Sequence, residues 1–120
     1  MNMNGIAEEY REWANLWETI DYADKASVRK CNRAADRMRK IVQEAEGSGP
    51  DAVAVLLPLL DEAIPAKWLA HHLVEMTSID KATKKQCFQI VKQHIRDLRS
   101  KGQAADVMGE EMWLREHKKG

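Results

Sequence analysis

The chain has 120 residues, 19 Lys and Arg against 19 Asp and Glu, and two cysteines. That length makes one domain, 1–120, burying roughly two-thirds of the surface its unfolded chain exposes; zero net charge excludes a global electrostatic pull toward nucleic acid or anionic membrane. No stretch approaches the ~20 uncharged apolar residues of a membrane helix, and "MNMNGIAEEY" has neither the basic start nor the apolar run of a secretory signal, so the expected compartment is the cytoplasm.

Ile6, Tyr10, Trp13, Trp17 and Ile20 share one face of a helix predicted over about 6–20. Asp24 is placed to cap a second, long helix over 25–46, with Val28, Cys31, Ala35, Met38 and Val42 on its apolar line. "GSGP" then breaks the chain, and Pro50 suits the first turn of a third helix carrying "VAVLLPLL". Pro58 predicts a kink or early end there, because it has no N–H to donate and its ring clashes with the preceding turn. Pro65 opens a fourth helix, "PAKWLAHHLVEM", in which Trp68, Leu69, His72, Leu73 and Met76 share a face. Asp80 caps a fifth, with Cys87, Val91, Ile95 and Leu98 at helical spacing. Gly102 ends it, and "QAADVMGEEMWLREHKK" makes a sixth. No stretch alternates as a strand would. The fold class is all-α: six helices with short connections, arranged as three antiparallel hairpins. A closed bundle and a short solenoid both satisfy that pattern. The nearly all-apolar third helix, followed by an Ala- and Leu-containing fourth, favours a HEAT-like stack.

Candidate chemistry is sparse. His71 and Glu75 form an i, i+4 pair, but "HHLVE" is not the His-Glu-x-x-His of a zincin, and only His94 and His117 are left to converge on it. His72 follows the apolar line and reads as an interior histidine. Ser27, Ser48, Ser78 and Ser100 lie near helix ends, where capping and turn roles suffice. Cys31 and Cys87 sit far apart inside helical patterns and read as reduced, buried thiols, the alternative being a disulfide or metal site. "GSG" opens a helix without the Lys-Ser/Thr of a phosphate loop. No active site, metal or cofactor is expected.

Surface charge is more informative. Residues 1–24 hold six acids and one base, 25–46 seven bases and three acids, 51–80 five acids and one base, and 81–101 seven bases and one acid. Oppositely charged neighbouring helices attract and keep their outer faces wet; the same patches can also steer a charged partner. Trp113, beside Glu110 and Glu111, is the tryptophan expected to be partly exposed.

The order "W…AD…NR..D....I", then "LLPLLD", an Ala-rich helix and a closing "MWLREHKKG" resembles a small bacterial family of HEAT-like α-helical domains. Members of that family occur as immunity proteins of polymorphic toxin and contact-dependent growth inhibition systems. The likeness runs over about 13–120, with Asn32, Arg33 and Asp36 at the family's Asn-Arg-x-x-Asp pattern. Ala66 and Lys67 depart from it, standing where a Val-Arg pair is expected. The resemblance implies a non-catalytic cytosolic protein that neutralises a cognate toxin domain, commonly a nuclease. The free protein is expected to be a monomer.

Asn32 is then expected to be structural. An amide at the edge of a helix face can bond backbone groups of the next connection and fix the packing register, with Asp36 pairing along the helix to Arg33, Arg37 or Lys40. The expected partner-facing residues are Asp61, Glu62, His71, Glu75, Glu110, Glu111 and Trp113. Two other functions fit the chain: a HEAT-like adaptor in a bacterial complex, and a nucleic-acid binder using Lys84, Lys85, Lys92 and Arg96. Direct nucleic-acid contact is not expected, because acidic segments interrupt the basic ones.

Overall fold

The computed structural model describes residues 3–118. Met1 and Asn2, at the start of the supposed signal-free segment, and Lys119 and Gly120, at the end of the basic tail, lie outside the described residues. Six α-helices follow in order: α1 (Met3–Trp17), α2 (Lys25–Ser48), α3 (Pro50–Leu56), α4 (Ala63–Met76), α5 (Lys81–Ser100) and α6 (Ala104–His117), with a 3-10 turn over Leu57–Asp61 between α3 and α4. No strand occurs among the described residues. No helix is long and apolar enough to cross a membrane.

The chain's own signals set most of the boundaries. The Asp24 carboxylate accepts from the Ala26 N–H at 2.9 Å, and Asp80 accepts from Thr83 N–H at 2.7 Å, so both predicted caps satisfy a free amide of a first turn. Gly49, at φ 115°, joins α2 to α3, and Gly102, at φ 71°, stops α5. Pro58 ends α3 early and the chain tightens into the 3-10 turn, as its missing donor requires. Two boundaries shift. α1 stops at Trp17 rather than near Ile20, closing with turn bonds from Thr19 and Ile20 back to Leu16 and Trp17. α4 starts at Ala63, placing Pro65 in the first turn, where no i−4 bond is lost.

The helices make a slab of 39 × 36 × 21 Å. α1 packs on α2, α3 and α4; α2 also meets α3 and α4; α4 meets α5, and α5 meets α6. α4 is therefore the shared element, with the N-terminal helices on one side and the α5–α6 hairpin on the other. Tyr10, Met38, Leu56, Leu59, Leu69 and Leu73 are fully buried at its centre. Cross-helix ion pairs tie the charge-segregated segments together: Arg37 to Glu9 at 2.6 Å, Arg11 to Glu62 at 2.7 Å, and Lys67 to Glu18 at 2.6 Å. Cys31 and Cys87 are buried and unpaired, and burial pushes the Cys87 thiol up to about 11.

The packing account of Asn32 and Asp36 is corrected. Both side chains are exposed, and neither makes a hydrogen bond or ion pair among the described residues. α2 buries Cys31, Ala34, Met38, Ile41, Val42 and Ala45. At 3.6 residues per turn, that stripe is centred about 50° away from the Val28–Cys31–Ala35–Met38–Val42 line expected from sequence. The rotation carries Asn32 and Asp36 to the solvent side.

Candidate functional site

Consecutive residues of α4 serve two different environments. A helix turns ~100° per residue, so His72 points into the core while His71 faces α6. The Tyr10 hydroxyl lies 2.7 Å from His72 Nδ1. Burial, then the positive charges of Arg39 and His71, pull the His72 imidazole down to about 4, so it is neutral at pH 7. The phenol has no other acceptor among the described residues, so its proton goes to Nδ1 and the ring carries its own proton on Nε2.

His71 is held differently. Its Nδ1 meets the Lys67 carbonyl and its Nε2 lies 2.6 Å from Glu110 Oε2. With Glu110 ionised both partners accept, so the geometry suits a ring protonated on both nitrogens, imidazolium against carboxylate. Burial pushes His71 down, but Glu110, the Lys67 carbonyl and Glu75 outweigh it and hold it above the ordinary histidine range. Burial likewise pushes Glu110 up, and His71 followed by His94 outweigh it and hold it below the ordinary carboxylate range. Trp113 completes the joint. Its ring lies 4.4 Å from that of His71 and stacks on His117 at 4.6 Å. Its indole N–H, like that of Trp68, is buried with no acceptor among the described residues. Beside this joint lies a cavity of about 260 Å³, which Arg39, His71, His72 and Glu75 help to line. No three His, Cys, Asp or Glu side chains among the described residues are arranged to share a metal ion.

The expected partner-facing residues do not form one free surface. Glu62 is taken up by a two-pronged bond from Arg11, Glu111 pairs with Arg99, and His71, Glu110 and Trp113 form the α4–α6 joint just described. Asp61 and Glu75 are exposed and without an ion pair among the described residues.

A surface that sequence reasoning did not single out lies close by. Tyr22, in the α1–α2 connection, is 75% exposed, and Met108 and Met112 on the outer side of α6 are 66% and 54% exposed. Ala105 and Gly109 continue that apolar strip, and the space above the Gly109 Cα is open. A groove of about 410 Å³ runs between α6 and the end of α1, lined by Trp17, Ile20, Tyr22, Ala105 and Gly109, by the Glu18–Lys67 pair, by His94 and the His71-bound Glu110, and by Asp106, which has no ion pair among the described residues. Exposed Asp21 and Asp24 flank Tyr22 in the same connection. Two exposed methionines four residues apart on a helix were the signal available in the sequence. That spacing alone does not mark which side of the sixth helix faces out.

No protein-family model, curated protein or solved structure matches this chain.

Proposed function

We propose that this protein is a non-catalytic binding protein that neutralises a cognate toxin domain by docking it on the outer face of α6 and the adjoining α1–α2 connection. The supporting observation is the exposed Tyr22–Met108–Met112 patch with Asp21, Asp24 and Asp106 around it, three carboxylates without an ion pair among the described residues. Contiguous apolar surface with aromatic and methionine side chains is characteristic of protein interfaces. An acidic rim suits a basic partner, such as a nuclease whose substrate groove is positive. The likeness around Asn32-Arg33-x-x-Asp36 and "MWLREHKKG" points the same way, and it also implies a HEAT-like stacking of the three hairpins and a cytoplasmic location. Exposed Asn32 and Asp36 then belong to a second, outer surface rather than to the core.

The test is co-expression with the product encoded immediately upstream, scoring cell survival and then co-purification. Survival only in the presence of this protein, lost with Met108→Lys/Met112→Lys, is the expected result. Anchors of this kind cost tenfold or more in affinity when replaced, on the order of 1.4 kcal/mol. A neighbour that is harmless alone, or that kills equally with this protein present, removes the toxin reading. A neighbour that is harmless yet co-purifies through the same two methionines makes the protein an adaptor.

A further inference from the structure

Lys81, the adjacent Lys84 and Lys85, Phe88 and Lys92 recur three or four residues apart along one side of α5. Such spacing puts them in one stripe, with about 16 Å from the first lysine position to the last. The end of α6 adds Lys118 and His117, and together these side chains line a cleft of about 400 Å³ with no carboxylate in its wall. Four basic side chains elsewhere in the slab, Arg11, Arg37, Lys67 and Arg99, are paired with acids. Among the described residues none of the five cleft lysines has such a partner. Lys92 and Lys118 are near enough for Lys118, and then Arg96, to hold Lys92 below the ordinary lysine range. Like charges gathered without counter-charge concentrate an anionic ligand locally, whatever the net charge of the chain.

Phe88 separates a phosphate-strand reading from a simple charge reading. It is the chain's one phenylalanine. It is half-buried among the lysines and touches the outer edge of the aromatic joint, with its ring 6.1 Å from that of Trp113. It takes no part in the apolar core cluster. Lysines at regular steps with an aromatic ring among them reproduce what single-stranded nucleic acid requires: ammonium groups along the backbone and a flat face for a base. An acidic peptide would use the lysines and leave the ring idle. A duplex would need contacts over a wider face than one helix stripe provides. We propose that the α5 stripe and its cleft bind a short single-stranded nucleic acid, with phosphates against Lys81, Lys84, Lys85, Lys92 and Lys118 and one base against Phe88.

The probe is a fluorescently labelled thymidine oligonucleotide of about 12 nucleotides, titrated with the whole protein and followed by anisotropy at several salt concentrations. Binding is expected to weaken with salt with a log–log slope of about −2 to −3.5, corresponding to three to five phosphates. Lys84→Gln/Lys85→Gln should weaken it about tenfold or more and flatten the slope by about 1.4. Phe88→Leu should weaken it about fivefold or more with the slope unchanged, because stacking releases no counterions. Lys25→Gln/Lys30→Gln, the same charge change on the exposed side of α2, should have little effect. Far-UV circular dichroism of each variant checks that it is folded. The proposal is overturned by no binding at low salt, by an equal loss in the α2 pair, by an inert Phe88→Leu, or by poly-glutamate displacing the probe as well as unlabelled oligonucleotide does.

Discussion

α1–α4 with its 3-10 turn and the α5–α6 hairpin are held together by different physics. The first contributes Tyr10, Met38, Val42, Leu56, Leu59, Leu69 and Leu73, all fully buried. α5 sets Cys87, Val91, Ile95 and Leu98 against it, and α6 buries Val107 alone. Beyond that and the partly buried Leu114, what fastens α6 is polar and aromatic: the His71–Glu110 pair, the Trp113 ring between His71 and His117, and the Arg99–Glu111 pair. Apolar burial is insensitive to pH and salt, whereas ion pairs depend on both. α1–α4 also carries ion pairs, Arg37–Glu9, Arg11–Glu62 and Lys67–Glu18, but keeps its large apolar core when they are lost. The α5–α6 edge has less apolar burial to fall back on, and most of both proposed binding surfaces lies there.

The largest expected contrast comes from core truncation. Leu69→Ala, at the centre of the slab, should cost about 2–5 kcal/mol, through lost transfer energy and the cavity left behind. Val107→Ala should cost about 1–2 kcal/mol, because its site at the edge can collapse or admit water. Urea midpoints with unchanged m-values measure both. Equal losses would break the distinction between the two regions.

Acid tests the core from the other side. His72 sits near 4 when folded, against about 6.5 in the unfolded chain. Between those values the unfolded state binds more protons, so stability should fall as pH drops from 6.5 to 4, by about 3 kcal/mol in total. Tyr10→Phe should lower stability by about 1–3 kcal/mol at pH 7, since buried Nδ1 then has no donor. Denaturant unfolding across that pH range gives both numbers.

α6 should respond to pH with a different profile. The raised His71 and lowered Glu110 values mean that their pair stabilises the fold above Glu110's range and below that of His71. The contribution is lost as pH rises through the folded His71 value and as it falls through the folded Glu110 value. Amide hydrogen exchange in α6 should accelerate, relative to α1–α4, on both sides of that window. Glu110→Gln should remove about 1–2 kcal/mol of α6 protection and abolish the window. If α6 stays protected to the global limit across all pH values, the polar joint is not what holds it.

The smallest expected effect is at α2. Asn32→Ala and Asp36→Ala should each change stability by less than about 0.5 kcal/mol, because exposed side chains without partners leave nothing unsatisfied. A loss above about 1 kcal/mol at Asn32 would reinstate its role in packing register.

Helix existence, the Asp24 and Asp80 caps, the Pro58 break, the Gly102 stop and the interior place of His72 were all legible in the chain, since each depends on spacing or on a local rule of backbone geometry. α2 shows where such reading fails. Val28, Cys31, Ala35, Met38 and Val42 make as good an apolar line as the stripe that is buried, and a small Ala on either side of the helix costs the pattern nothing. Only α1, α3 and α4 packing on it choose between the two, and with that choice Asn32 moves from the edge of the core to water.

The candidate surfaces divide in the same way. The lysine stripe of α5 was visible as a spacing, because its members lie on one helix. The carboxylates expected to face a partner were visible as types but not as free charges, because pairing joins residues far apart in the chain, as with Glu62 and Arg11 or Glu110 and His71. Local sequence determined where this chain is helical and which helices are basic or acidic, since those properties arise within a few residues. Tertiary structure alone decided which charges are used up internally and which apolar side chains, Tyr22, Met108 and Met112, are left outside. Both outcomes depend on what each helix face meets once the slab is assembled, and no local rule encodes that.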